Sequence, residues 1–268
     1  MPFTLYDAEH VSMPKLSFQQ VKSGPFETQA LLVRPDPKLD KNSLAIFTHG
    51  YTAYKNALLT WPERLAVEGV TTVLFDLPGH YLGTSCEVDS IEQFFTHTPK
   101  LFSSCVELAE LQRQSNFEHL FVGGHSLGAI MSLYALDSLA EKYLALHAFL
   151  VGFGVEKEGE KHLLESPFFG KTLEFRNQLV SPAITSNHLF SWLKKSKEKL
   201  AVKNHNVTMI TGLDDIVAGK GGSERMKEIL LKNHNQVTLI TPKNLPHHRP
   251  ELASIYLARE IRSLLKRN

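Results

Sequence analysis

The residues with the clearest chemical potential surround Ser126, which stands in the pentapeptide Gly124-His-Ser-Leu-Gly128. A serine in a G-x-S-x-G pattern is presented on a sharp turn from a strand into a helix, and the strained backbone there leaves little room for neighbouring side chains. Serine is a weak nucleophile until a base takes its proton, and that base needs a third group to orient it. The motif therefore predicts a nucleophilic serine, if a histidine and an acid join it.

Candidates for the acid and the base follow later in the chain. Asp214 and Asp215 come after one apolar run that predicts a strand, and His247 and His248 come after the next. Loops at the carboxyl ends of parallel strands meet at one edge of a sheet, so both pairs fall on the side expected for Ser126. The residues alone leave open which aspartate and which histidine would act.

Two backbone amides are candidates for stabilising a negatively charged oxygen. Gly50 comes three residues after the apolar run 44–47 and allows close approach of a ligand, which leaves the amide of Tyr51 to donate a hydrogen bond. Leu127 opens the helix after Ser126, where the helix dipole favours negative charge. Tyr51 and Leu127 are therefore the predicted oxyanion donors.

The strands and helices needed to position these residues can be read from the apolar pattern. Predicted strands, beginning with an antiparallel hairpin, cover 15–21, 27–33, 44–47, 70–75, 120–122, 145–151, 206–211 and 236–241. Most of the later strands are separated by segments whose apolar residues have the spacing of a helix. This alternation predicts an α/β fold with a mostly parallel sheet of about eight strands and helices on both faces.

Residues 152–203 separate two predicted core strands and are too long for an ordinary loop, so they predict a small helical cap or lid. The segment is rich in aromatic residues, which we interpret as the inner face of the cap or as pocket lining: Phe168, Phe169, Phe175, Phe190 and Trp192. Its lysines are interpreted as a solvated helix face: Lys194, Lys195, Lys197 and Lys199.

Composition excludes several classes of function. With 29 basic and 28 acidic residues among 268, the formal charge of +1 gives no reason to expect a nucleic acid partner. No apolar run is long enough to span a membrane, and two cysteines fit a reducing compartment, so we expect a cytoplasmic protein. Metal-binding and dinucleotide-binding motifs are missing, so neither a metal nor another cofactor is expected. Nothing in the sequence decides whether the chain forms a homo-oligomer.

Together, these motifs resemble the α/β-hydrolase family over nearly the whole chain. The resemblance depends on five features: His49-Gly50, Asp76-Leu-Pro-Gly-His80, Gly124-His-Ser-Leu-Gly128, Gly212-Leu-Asp-Asp-Ile-Val217 and a late histidine. In this family the triad follows the order serine, acid, histidine. The resemblance implies that Ser126 is the nucleophile and that the amides of Tyr51 and Leu127 form the oxyanion hole.

The resemblance also ranks the paired candidates. Family loops of the form Gly-x-x-Asp favour Asp215 over Asp214, although Ala218 replaces a proline common in the family. The glycine that commonly precedes the family's histidine is missing. Members with a basic residue after the histidine, followed by Pro-Glu, favour His248, with His247 as the alternative.

The expected protein is thus a single α/β-hydrolase domain spanning 1–268. It resembles a carboxylesterase that cleaves a small-molecule ester or thioester through an acyl-enzyme. The alternatives are an acyltransferase or carbon-carbon bond hydrolase with the same triad, and an inactive relative that binds a ligand or partner.

Overall fold

The structure is a computed structural model that describes residues 12–157 and 169–267. Its centre is one sheet of eight strands. The strands are β1 (Lys15–Ser23), β2 (Phe26–Arg34), β3 (Ser43–Thr48), β4 (Thr71–Phe75), β5 (His119–His125), β6 (Ala145–Val151), β7 (Asn206–Ile210) and β8 (Gln236–Ile240).

The sheet has the order β1-β2-β4-β3-β5-β6-β7-β8. β2 runs antiparallel to both of its neighbours, and the pairs from β4 onward are parallel. Every residue of β3 and β4 is buried, whereas β1 at the edge is mostly exposed or half-buried. Continuous apolar runs such as Leu44–Phe47 suit strands that are covered on both faces.

Eight α-helices cover the sheet in the described ranges. They are α1 (Thr60–Val67), α2 (Ile91–His97), α3 (Lys100–Arg113), α4 (Leu127–Ala140), α5 (Gly170–Asn177), α6 (Ser186–Glu198), α7 (Gly222–Lys232) and α8 (Ser254–Arg267). One core cluster packs α1 and α8 against one face of the sheet, and a second packs α3, α4 and α7 against the other.

The predicted α/β architecture is confirmed, including the mostly parallel sheet of eight strands, the helices on both faces and the hairpin of β1 and β2 at the edge. Helices α5 and α6 lie within residues 152–203, where helices were expected. That this segment acts as a cap, and that 1–268 form a single domain, stay predictions.

Candidate active site

Five parallel strands end level with one another at one edge of the sheet. The register aligns their carboxyl ends to within one residue: Thr48 pairs with Gly124, His125 with Val151, Val151 with Ile210, and Ile210 with Ile240. The loops that follow these ends carry Ser126, Asp215 and His247. Side chains far apart in sequence are thereby brought to one edge, which is where ligands bind in such sheets.

Ser126 is the single residue between β5 and α4. Its backbone has φ of 53° and ψ of −109°, a conformation that a residue with a side chain adopts only under strain. The amide of Ser126 donates to the carbonyl of Val151 at 2.8 Å, which holds the turn against β6. A Cβ atom at Gly124 or Gly128 would collide with the carbonyl oxygen of Thr48, so both glycines are required for the close approach of this turn to β3.

Asp215 is buried and accepts three hydrogen bonds. Its Oδ1 accepts the amides of Val217 at 3.0 Å and Ala218 at 2.9 Å, and its Oδ2 lies 2.9 Å from Nδ1 of His247. An ionised carboxylate only accepts hydrogen bonds, so Nδ1 of His247 carries the proton. The structure therefore joins Asp215 to an imidazole, and gives Asp214 a different partner, the amide of Leu245 at 2.9 Å.

The preference for His248 as partner of the acid is corrected by this geometry. The amide of Arg249 donates to the carbonyl of Pro246 at 3.0 Å, closing a tight turn whose two central residues are the two histidines. His247 is directed inward to Asp215, while His248 is exposed at the wall of the cavity. The pattern of basic residues after the histidines carries no information on which imidazole the turn buries.

The turn after β3 places the amide of Tyr51 by holding the carbonyl of the same peptide unit. The oxygen of Gly50 accepts from Nδ1 of His49 at 2.9 Å and from the amide of Ala53 at 3.2 Å. In a planar trans peptide the N–H points opposite to the C=O, so these bonds direct the N–H of Tyr51 away from them. Leu127 is the first residue of α4. Within the described part of the chain, neither amide has a hydrogen-bond acceptor.

Comparisons with known proteins agree with this architecture. A scan against protein-family models and a search of curated proteins each give no match. Among solved structures, an α/β serine hydrolase without a lid from Xanthomonas campestris is 15% identical, with 96% of each chain covered and a TM-score of 0.58. A putative lipase from Acinetobacter baumannii is 16% identical, covering 94% of this chain and 91% of its own, with a TM-score of 0.63.

An epoxide hydrolase from Vigna radiata is 12% identical, covering 94% of this chain and 98% of its own, with a TM-score of 0.64. The chain has the α/β-hydrolase fold. This fold hosts several reactions, so the chemistry of the chain depends on its own side chains.

Beneath the turn after β3, the chain buries a network of charged and polar groups. The amide of Leu77 donates to Nε2 of His49 at 2.9 Å, so the ring proton of His49 lies on Nδ1. That Nδ1–H donates to the carbonyl oxygen of Gly50. Burial lowers the pKa of His49 to about 4, which keeps the ring neutral. Asp76 accepts the amide of Lys55 at 2.6 Å and forms an ion pair with its ammonium group. His49 and the ion pair of Asp76 with Lys55 thus stabilise the turn after β3.

Two further histidines, His80 and His125, are buried near the site, and both stand in motifs that resemble those of the family. The ring of His80 lies 5.2 Å from that of His49, and burial lowers the pKa of His80 to about 3. His125 lies with its ring centroid 4.6 Å from that of His247, and burial lowers the pKa of His125 well below its usual range. Both rings are therefore neutral.

A cavity of about 520 Å³ lies over Ser126 and is also lined by Leu127, Tyr51, Asp214 and the two late histidines. This volume suits a small-molecule ligand. Its apolar lining includes large side chains from α4 and from the inserted segment: Ile130, Phe153, Phe169, Leu173, Phe190 and Leu193.

The inserted segment contacts the site directly. Tyr51 donates its hydroxyl to Oδ1 of Asn177 at 3.0 Å, and its ring packs edge-on against Phe190 at 5.3 Å. Phe169 also lines the cavity, whereas Trp192 stacks on Phe95 outside it. Phe175 is exposed, and Phe168 lies outside the described residues.

The interpretation of the lysines of α6 as a solvated face is wrong for two of them. Lys194 and Lys197 line the cavity, while Lys195 and Lys199 are exposed. The signal that could have separated them is the helical period, since residues three and four apart share a face. The cationic character of the cavity, to which Arg176 also contributes, was therefore missed.

Neither a metal cluster nor a membrane helix is found in the described ranges. No group of three or more His, Cys, Asp or Glu side chains there is arranged to hold a metal ion. None of the helices among these residues combines the length and the apolar character needed to cross a membrane.

Proposed function

We propose that the chain is a carboxylesterase-like serine hydrolase that cleaves a small carboxylic ester or thioester. The observation that carries the proposal is the hydrogen bond between Asp215 and His247, in a chain that presents Ser126 on a strained turn at the same cavity. A nucleophile, a base and a group that orients the base are the parts that acyl transfer needs.

In the proposed mechanism the hydroxyl oxygen of Ser126 attacks the carbonyl carbon, and Nε2 of His247 takes the hydroxyl proton. His247 returns that proton to the departing alcohol or thiol, which leaves an acyl group on Ser126. Water then attacks the acyl group with His247 again as the base, releasing the acid and restoring the serine. The protonated ring is stabilised by Asp215 throughout.

The negatively charged oxygen of each tetrahedral intermediate would be stabilised by the amides of Tyr51 and Leu127. Two observations support this role: both residues line the cavity with Ser126, and Leu127 begins a helix, where the dipole favours negative charge. One such donor is worth roughly 3 kcal/mol in the transition state. The hydrogen bonds to the carbonyl of Gly50 would keep the Tyr51 amide in place without reorganisation during the reaction.

Both cysteines, Cys86 and Cys105, are free thiols, which supports the cytoplasm as the proposed compartment.

Labelling with a fluorophosphonate and a screen of p-nitrophenyl esters test the proposal. We expect the wild type to be labelled on Ser126 and to hydrolyse short esters, and we expect Ser126→Ala to lose both properties while it stays folded. A folded wild type that is neither labelled nor active would instead favour the inactive ligand-binding alternative. Transfer of the acyl group to an added alcohol in preference to water would indicate an acyltransferase.

A further inference from the structure

The cavity over Ser126 carries an excess of cationic side chains. Three of its lining residues are cationic, namely Arg176, Lys194 and Lys197, and all three come from α5 and α6 of the inserted segment. Among the described lining residues Glu156 and Asp214 are acidic, and Asp214 accepts a hydrogen bond from the amide of Leu245. Among the described residues that line the cavity, cations therefore outnumber acids by three to two.

Helix α6 directs two of these cations inward together with its apolar side chains. Phe190, Leu193, Lys194 and Lys197 are spaced by three, one and three residues, so they form one face of the helix, and all four line the cavity. Lys195 is exposed on another side of α6. Lys194 and Lys197 therefore line the cavity because they lie on the same face of α6 as Phe190.

The charge of Lys197 is exposed to little solvent and, among the described residues, pairs with the carboxylate of Glu156. Its side chain is 11% exposed, and its Nζ atom lies 3.5 Å from Oε1 of Glu156, at the outer limit of direct contact. The ammonium group also lies 5.5 Å from the ring centroid of Phe153, two residues beyond the end of β6. Burial lowers the pKa of Lys197, so a further anion near this site would relieve an unfavourable environment.

Arg176 is the second cation of the cavity that can bind a ligand. It is half-buried at the cavity wall, and in the described ranges its guanidinium group forms neither a hydrogen bond nor an ion pair. Arg176 is close enough to act electrostatically on the Tyr51 hydroxyl, which binds the neighbouring Asn177. The guanidinium fork can bind both oxygens of a carboxylate or phosphate.

We infer that the substrate of this site carries an anionic group, a carboxylate or a phosphate, which binds Arg176 and Lys197 while its ester or thioester carbonyl lies at Ser126. This inference depends on the proposed function. An apolar surrounding strengthens the attraction between charges, so two cations that line the same cavity favour an anionic ligand there. The anionic group can belong to the acyl part or to the leaving group, and the experiment distinguishes the two.

The test compares kcat/KM for pairs of esters that differ in one carboxylate. The acyl pair is p-nitrophenyl valerate and the p-nitrophenyl monoester of glutaric acid, and the leaving-group pair is phenyl acetate and carboxyphenyl acetate. In at least one pair we expect Arg176→Gln to lower the ratio of anionic to neutral kcat/KM by about tenfold, the usual effect of one charge-assisted hydrogen bond. The outward-facing control Lys195→Gln should keep the wild-type ratio.

Lys197 needs a compensated variant, because Lys197→Gln alone removes a cation from the buried carboxylate of Glu156. The double variant Lys197→Gln/Glu156→Gln removes both charges and should lower the same ratio. Glu156→Gln alone should raise it, since the lysine then lacks a competing carboxylate. Opposite effects of these two variants are expected only if the site binds an anion.

The outcomes separate the two proposals. If the wild type hydrolyses the neutral esters but Arg176→Gln and the compensated variant leave both ratios unchanged, the anion site is refuted and the hydrolase proposal stands. If no ester is turned over and fluorophosphonate does not label Ser126, the hydrolase proposal fails and the anion site falls with it. A ratio that changes only in the acyl pair assigns the anion to the acyl part, and the reverse assigns it to the leaving group.

Discussion

His247 is bound to Asp215 through its Nδ1 atom, which lies 2.9 Å from Oδ2, and this contact determines which ring nitrogen remains for catalysis. The other carboxylate oxygen accepts the amides of Val217 and Ala218, so the acid is held by its own loop before it meets the ring. Because the carboxylate can only accept, the proton of the neutral imidazole lies on Nδ1 and Nε2 is the basic nitrogen.

Asp215→Asn tests the orienting role of this contact. The amide group of asparagine can donate to Nδ1 and thereby favour the tautomer with the proton on Nε2, which cannot accept a proton from serine. We expect kcat to fall by roughly 10³ to 10⁴-fold, the scale known for loss of the orienting acid in a serine triad. Steady-state hydrolysis of p-nitrophenyl acetate measures the effect, with a thermal melt to show that the variant is folded.

Asp214→Asn is the matched control. Its oxygen would still accept from the amide of Leu245, so the loop should keep its shape and kcat should stay within about tenfold of the wild type. A greater loss in Asp214→Asn than in Asp215→Asn would contradict the assignment of the acid.

The two adjacent histidines give a second test. His247→Gln removes the ring that Asp215 holds, and we expect a fall in kcat of about 10³-fold or more together with loss of fluorophosphonate labelling. His248→Gln changes an exposed residue and should retain most of the activity and all of the labelling. Equal losses in both variants, or a loss only in His248→Gln, would show that the turn rearranges to use the other ring.

The sequence predicts the fold well because the signals that specify it are local. Apolar runs such as Ala145–Val151 and the glycines around Ser126 encode a buried strand and a sharp turn without reference to distant residues. The same local chemistry brought Ser126, Asp215 and the histidine pair to one edge of the sheet, because parallel strands carry their following loops there.

Tertiary features were harder to predict. Which of His247 and His248 meets Asp215 depends on a turn closed by Pro246 and Arg249, and neither residue type specifies it. The inward direction of Lys197 depends on how α6 rotates against the cavity, a matter of packing that composition does not record. Both errors concern the direction of a side chain.

Substitution of Gly128 tests how closely the nucleophile turn packs on β3. The added Cβ of Gly128→Ala would collide with the carbonyl oxygen of Thr48, and because that atom belongs to the backbone of a central strand it has little freedom to move. We expect a loss of about 1 to 3 kcal/mol in the free energy of unfolding, the usual cost of overpacking, measured by urea denaturation.

Gly170→Ala is its control, because a Cβ at that position would meet no described atom within 4 Å beyond its chain neighbours and its own helix, and the residue begins helix α5. We expect it to be neutral or slightly stabilising, since alanine favours the helix. If Gly128→Ala and Gly170→Ala lowered the free energy of unfolding equally, the loss at Gly128 could not be assigned to close packing of the turn on β3.

Acid should destabilise the protein before its carboxylates are protonated. Burial lowers the pKa of His49 to about 4 and of His80 to about 3, below the ordinary value of 6.5. At a pH between the ordinary pKa of 6.5 and these lowered values, the unfolded chain binds protons that the folded chain does not. The free energy of unfolding is therefore at its full value above pH 6.5 and falls as the pH drops. One such histidine costs about 2 kcal/mol by pH 5. Urea denaturation at pH 7.5, 6.5 and 5 measures the slope.

Two histidines away from the proposed triad make this slope attributable. His147 on β6 is mostly buried, and burial lowers its pKa to about 4, so His147→Gln should give a shallower loss of stability between pH 6.5 and pH 5. His188 on α6 is exposed, so His188→Gln should leave the slope as in the wild type. The slope is the observable because glutamine can shift the stability at all pH values equally, whereas only removal of a proton-binding site changes its dependence on pH. A wild type equally stable at pH 7.5 and pH 5 would mean that these rings take up protons while the chain remains folded.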